Sequence, residues 1–136
     1  MIHFELVTLG GTKFAQEVYE VTLPTPDGQI AVLPHHIPLV SLASPGVIAI
    51  RHNERDADSK LEYFATHGGV IEVLDNVVRV LADTADREDE INEQEAEKAF
   101  KRAQQMIKEA KSLVELSEAQ SLVDRYAVRL KVAGLR

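Results

Sequence analysis

The chain has 136 residues, of which 45% are apolar, and a net charge of −7. This apolar content excludes wholesale disorder, and the length allows one compact domain with an appendage. The absence of cysteine excludes a disulfide framework, thiolate metal sites and cysteine nucleophiles. The acidic balance argues against nucleic acid as a partner. No apolar run approaches the ~20 residues that span a bilayer, so we expect no direct membrane insertion.

The turn-forming residues are concentrated in the first 69 positions, which hold all five prolines and six of the seven glycines. Runs rich in apolar and β-branched residues recur between these turns and predict strands. The predicted strands are 3–9, 17–23, 29–33, 39–43, 47–51, 61–66, 70–74 and 77–82. Short strands with no helix-length segment between them are typical of an antiparallel sandwich or barrel. We therefore assign residues 1–85 to a β domain.

The remaining residues, 86–136, follow a helical pattern, because apolar residues recur every three or four positions and no glycine or proline occurs between 70 and 133. Asn92 and Ser117, each followed three residues later by Glu or Gln, predict two helix starts. The expected helices are about 93–111 and 118–133, packed as an antiparallel hairpin. No residue of the connector 111–117 forbids helix, so a single rod of roughly 41 residues and ~60 Å is the alternative.

No constellation of residues in the chain indicates catalysis or metal binding. Adjacent His35 and His36 point to opposite faces of an extended chain, and no downstream spacing completes a metal site. The Gly68-Gly69 pair lacks the Lys and Ser/Thr of a phosphate loop, and no serine lies in a nucleophile elbow. We therefore expect a non-catalytic protein with no metal. An enzyme built on the sandwich, acting on a small ligand or through a metal, is the alternative of a different class.

Two long segments resemble a known family. Residues 23–39, LPTPDGQIAVLPHHIPL, followed by Pro45-Gly46-Val47, resemble the signature of the epsilon subunit of bacterial F-type ATP synthases. Residues 67–76, HGGVIEVLDN, and residues 80–85, VLADTA, resemble the family's Gly-Gly hairpin and the junction before its helices. The resemblance covers essentially the whole chain. His67 departs from the family pattern, in which a small residue usually occupies that position.

The resemblance implies a ten-stranded antiparallel β-sandwich followed by a two-helix hairpin, in a non-catalytic subunit of the rotating central stalk. It implies gamma and the c-ring as partners, and a place at the cytoplasmic face of the bacterial membrane. In many members the helices extend into the alpha/beta catalytic head and block ATP hydrolysis. Carried onto this sequence, the c-ring-facing end would be formed by Asp27, Gly28, Gln29 and His36.

Some members also bind ATP between the helices and the sandwich, and a nucleotide-sensing module is therefore the alternative function. The family motif Ile/Leu-Asp-x-x-Arg-Ala reads Ile91-Asn92-Glu93-Gln94-Glu95-Ala96 here, so Asn92 replaces the acid and Glu95 the arginine. The remaining positions of the candidate site match, namely Ala96, Arg102, Arg125 and Arg129. Because Glu95 would repel a triphosphate, we expect weak or absent ATP binding and no cofactor. We expect an ion pair from Glu95 to Arg125 or Arg129 to close the hairpin instead.

Overall fold

The computed structural model describes residues 1–135, which form eight strands, two α-helices and two short 3-10 helices. Arg136, the last residue of the predicted helical segment, lies outside the described residues. The strands are β1 (Ile2–Thr8), β2 (Gly11–Val18), β3 (Glu20–Thr25), β4 (Gly28–Val32), β5 (Leu39–Leu42), β6 (Gly46–Arg51), β7 (Glu62–Leu74) and β8 (Val77–Arg87). The α-helices are α1 (Glu93–Glu109) and α2 (Leu113–Ala133), and the 3-10 helices are Asp58–Lys60 and Glu88–Glu90.

The strands build a sandwich in which the long β7 and β8 belong to both layers. They follow the order β2-β1-β8-β7-β6-β3-β4, and β5 pairs with β7. The first half of β7 pairs with β6 and its second half with β5. Among the described pairs, β1 with β8 is parallel and the others are antiparallel. The largest fully buried side chains come from both layers and include Phe4, Leu6, Leu23, Ile48, Ile50, Phe64 and Ile71. The sandwich fold class is confirmed.

The described residues form eight strands rather than ten. Strand β7 accounts for part of this difference. The predicted strands 61–66 and 70–74 are a single strand, because Gly68 and Gly69 adopt positive φ angles within it and the register with β8 continues past them. A side chain at Gly69 would collide with the carbonyl oxygen of Leu81, so only glycine fits there. The hairpin then turns at Asp75 and Asn76, whose positive φ angles suit a tight two-residue connection.

Two other strand predictions have wrong boundaries. The predicted run 17–23 is divided, because β2 ends at Val18 and β3 begins at Glu20. Most of β2 was missed, since this edge strand buries only Phe14 and Val18 and so lacks apolar alternation. Strand β8 extends beyond the predicted end at residue 82, since Ala85 continues its buried face.

Both helices begin with a capping side chain, but only the first start was predicted correctly. The side chain of Asn92 accepts a hydrogen bond from the Glu95 N–H at 3.1 Å. The second start is Ser112, not Ser117, because Ser112 Oγ accepts from the Glu115 N–H at 3.1 Å. The Glu115 carboxylate in turn accepts from the Lys111 N–H at 2.7 Å. The connector is therefore short, and the helices fold back on each other as a hairpin.

The hairpin rests on the sandwich through the C-terminal end of α2. A second apolar cluster joins the two parts of the molecule and contains Val47 and Ala65 from the sandwich, Ile91 and Ala96, and Val132 and Ala133 from α2. The first turns of α2 are different, because Leu113, Val114 and Leu116 are exposed. The hairpin is therefore anchored firmly at one end and loosely at the other.

Candidate functional site

The outer face of the sandwich carries exposed apolar side chains where a polar surface is the norm. Leu42, Val70 and Leu81 are neighbours across β5, β7 and β8 and are 64%, 41% and 51% exposed. We call these three residues the outer apolar row. Val40 and Leu74 are also exposed on β5 and β7. Contiguous exposed apolar side chains of this kind mark a surface for another macromolecule.

A charged row lies beside the outer apolar row on the same face. Arg79 Nε donates to Glu5 Oε2 at 2.9 Å, and Arg79 Nη1 lies 4.0 Å from Glu72 Oε1. The hydrogen bond from Arg79 lowers the pKa of Glu5, and the bond from His3 lowers it further. This side of the face therefore carries a fixed pattern of charges beside the apolar row.

The predicted c-ring-facing residues are distributed over β4 and the turn and loop that flank it. Asp27 is in the turn before β4, and Gly28 and Gln29 begin that strand. His36 follows the other end of β4, in an exposed loop where its Nδ1 lies 2.6 Å from the Ile37 carbonyl oxygen. The whole of β4 therefore lies between His36 and the turn in the chain. Gly28 and Gln29 instead line a groove with Val128 and Lys131 of α2.

The candidate nucleotide position is a cavity of about 260 Å³ between the hairpin and the 3-10 helix that precedes it. Of the predicted residues, Asn92, Glu95, Ala96 and Arg129 line it, together with Glu90, Ala99 and Tyr126. Arg102 is exposed on α1 and, with Arg125, is not among the lining residues. The cavity therefore brings together only part of the predicted set.

Arg129 is held by an acid that the sequence reasoning did not consider. Its Nη1 lies 3.5 Å from Asp86 Oδ2, and both side chains are about one-quarter exposed. Within residues 1–135, Glu95 forms no ion pair with Arg125 or Arg129, so the expected pairing is wrong. Glu95 instead uses its backbone N–H to bond the capping Asn92. The ion pair joins the end of β8 to α2, and so joins the sandwich to the hairpin.

Acidic side chains determine the electrostatics of this cavity. Burial raises the pKa of Glu90, but hydrogen bonds from Lys13 Nζ and the Arg87 N–H outweigh it and leave this pKa below its usual range. Glu90 is thus an anion at neutral pH and lies in the cavity wall with Glu95. Because Asp86 is paired with Arg129 and Lys13 with Glu90, Glu95 would leave a net negative charge for a phosphate group that enters here.

His67 makes a second polar contact between sandwich and hairpin that sequence reasoning did not predict. Its Nε2 lies 3.2 Å from Ser121 Oγ on α2. The sequence feature that could have indicated this contact is that the resembling family usually has a small residue in place of His67.

Among the described residues, neither helix has the length and apolar composition of a membrane span. No three His, Asp or Glu side chains of residues 1–135 are grouped as a metal site would need.

Two family models together match almost the whole chain. The model described as ATP synthase, Delta/Epsilon chain, beta-sandwich domain matches residues 1–88. The model described as ATP synthase, Delta/Epsilon chain, long alpha-helix domain matches residues 89–134. The ATP synthase epsilon chain of Herpetosiphon aurantiacus is 38% identical over 135 residues, which are 99% of this chain and 96% of that protein. The chain belongs to the ATP synthase epsilon chain family. The resemblance seen in the sequence is confirmed.

Solved structures of ATP synthases contain similar folds. A chain of the Euglena gracilis mitochondrial ATP synthase matches with a TM-score of 0.82 and 22% identity, over 97% of this chain and 80% of that chain. A chain in the central stalk and c-ring structure of the Tetrahymena thermophila mitochondrial enzyme matches with a TM-score of 0.61 and 16% identity, over 96% and 95%. At these identities the likeness establishes the fold that this epsilon chain family member shares with them.

Proposed function

We propose that the chain is a non-catalytic epsilon subunit in the central stalk of a proton-translocating F-type ATP synthase, where it couples the catalytic head to the c-ring. Family membership places it in an ATP synthase complex. The observation that carries the proposal is the outer apolar row, since a torque-transmitting subunit needs a rigid sandwich with a large docking face. We assign this face to the gamma subunit, at the cytoplasmic face of the membrane.

A charge placed in the row tests this assignment. Burying a leucine contributes about 1.5–3 kcal/mol, and an aspartate in its place adds the penalty of an unpaired buried charge. Leu81→Asp should therefore weaken binding to a gamma-containing complex that lacks epsilon by about 100-fold or more. Leu113→Asp, which changes an exposed leucine on the hairpin, is the matched control and should bind normally. Equal binding by both variants, or a loss confined to Leu113→Asp, contradicts the assignment.

For the c-ring contact we propose the turn Asp27–Gln29 alone. It is exposed and lies at the end of β4 opposite His36. Asp27→Lys should reduce cross-linking of the subunit to the c-ring, whereas His36→Ala should leave it unchanged. The reverse pattern would assign the ring to the loop that follows β4.

We propose that the hairpin extends into the alpha/beta head and opposes ATP hydrolysis. Two observations support this proposal. The apolar cluster that anchors α2 is small, and the first turns of that helix are loosely packed. A chain ending before residue 93 should raise the ATP hydrolysis rate of the assembled complex, provided that it still binds gamma. Unchanged hydrolysis by a complex that contains the shortened chain contradicts an inhibitory role.

We further propose that this chain does not use ATP to hold the hairpin closed. Glu90 and Glu95 line the cavity, and Arg129 is paired with Asp86. Calorimetry should detect no ATP binding by the native chain, whereas the double variant Asn92→Asp, Glu95→Arg should gain it. Each 1.4 kcal/mol of repulsion removed strengthens binding about tenfold. Tight binding by the native chain would favour the nucleotide-sensing alternative.

A further inference from the structure

Helix α2 contacts the sandwich unevenly along its length. Its C-terminal residues Val132 and Ala133 are buried in the apolar cluster shared with the sandwich. Its N-terminal half lies over a groove of about 570 Å³ lined by His67, Leu113, Leu116, Ser117, Gln120, Ser121 and Asp124. Side chains that border an open groove gain few dispersion contacts, so a single polar contact there has a large effect on whether this half of the helix stays in place.

His67 supplies that contact from a rigid position. It lies in β7 opposite Thr84 of β8. On one side it adjoins the buried Thr66, whose hydroxyl donates to the Gly46 carbonyl oxygen at 3.2 Å. On the other side follow Gly68 and Gly69, whose positive φ angles no other residue type adopts readily. The ring is thus presented to α2 by a strand that pairs with β8 at His67 and with β6 as far as Thr66. Its Nε2 lies 3.2 Å from Ser121 Oγ.

The second ring nitrogen, Nδ1, makes the contact between His67 and Ser121 easier to break. Among the described residues, His67 Nδ1 is buried and has no hydrogen-bond partner. In the closed hairpin one nitrogen of His67 is satisfied, whereas both nitrogens would reach water if α2 moved away. A buried polar atom without a partner offsets part of what the neighbouring hydrogen bond contributes. The arrangement therefore holds the helix without fixing it permanently.

We propose that His67 is a releasable latch that holds the N-terminal half of α2 against the sandwich through Ser121. This latch acts in the compact state of the hairpin, and it works within the isolated chain. It needs neither nucleotide nor a partner subunit. It is separate from the Asp86–Arg129 ion pair, which acts two helical turns further along α2.

Hydrogen–deuterium exchange of residues 113–125 in the full chain tests the latch, with the amides of β3 as an internal reference for intact folding. A net hydrogen bond of typical strength corresponds to about a three- to tenfold change in the opening equilibrium. Ser121→Ala should therefore accelerate exchange by about three- to tenfold. Ser117→Ala is the matched control, because it removes the same hydroxyl one turn earlier in the same groove, and it should leave exchange nearly unchanged.

The decisive comparison places Ser121→Ala in chains that carry a changed residue 67. After His67→Ala, and after His67→Phe, which keeps a ring but has no nitrogen, Ser121→Ala should cause no further acceleration. An equal effect of Ser121→Ala in all three backgrounds would overturn the latch, since the hydroxyl would then act independently of His67. The latch also fails if Ser121→Ala exchanges like the native chain. Neither result bears on gamma or c-ring binding, so the proposed function is tested separately.

Discussion

Breaking the Asp86–Arg129 ion pair should loosen the C-terminal half of α2 from the sandwich. Arg129 Nη1 and Asp86 Oδ2 are 3.5 Å apart, and the side chains are 22% and 24% exposed. At an effective dielectric constant of 20, two unit charges at this distance attract by about 4.7 kcal/mol. Desolvation and partial screening cancel much of this attraction, and we expect a coupling free energy of about 1–2 kcal/mol.

A double-mutant cycle with Asp86→Ala, Arg129→Ala and the double variant isolates this coupling. The assay is hydrogen exchange of α2 residues 126–133, for which 1–2 kcal/mol corresponds to about a 5- to 30-fold difference. The exposed pair Glu97–Lys101, one turn apart on α1 at 3.4 Å, is the control, with an expected coupling of about 0.2–0.5 kcal/mol. If the Asp86–Arg129 coupling is no larger than that of the control pair, the ion pair does not hold the hairpin.

Three further substitutions test the local structure. Gly69→Ala should destabilise the sandwich by about 2–4 kcal/mol in chemical denaturation, because the added methyl group meets backbone at a positive φ. Gly10→Ala, whose added methyl group would make only an ordinary van der Waals contact of 3.6 Å with Thr8 Oγ1, should change stability little. Ser112→Ala should lower the stability of α2 by about 1 kcal/mol, measured by hydrogen exchange in its first turns, and Ser117→Ala should lower it much less. The opposite order would show that α2 begins at Ser117. The lowered pKa of Glu5 means that its ionised form stabilises the fold at neutral pH, and this contribution is lost as the pH falls through that pKa. Glu5→Gln should therefore reduce the fall in Tm below about pH 4. An unchanged dependence of Tm on pH would contradict the assigned cause.

Local signals predicted most of the fold because they act over a few residues. The period change near residue 85 located the helices, and Asn92 is the cap that its spacing predicts. The same reasoning failed at Ser117 because Ser112 and Glu115 satisfy the same pattern five residues earlier. Most of strand β2 was not predicted, because this edge strand does not carry alternating apolar residues.

The candidate site was harder to predict because its partners come from distant parts of the chain. Asp86 lies 43 positions before Arg129, and only the packing of α2 on the sandwich brings them together. His67 and Ser121 are 54 positions apart. The outer apolar row depends on the register of three strands, which periodicity alone does not supply. Charge arguments made from sequence therefore predicted the wrong partner for Arg129.

The central claim, a place in the central stalk of an ATP synthase, is tested most directly by reconstitution. Purified chain is added to ATP synthase that lacks its epsilon subunit, and incorporation and proton-driven ATP synthesis are measured. The account predicts that one chain enters each complex and restores coupled synthesis, and that Leu81→Asp does neither. A correctly folded native chain that fails to enter the complex, or that enters without restoring synthesis, would contradict it.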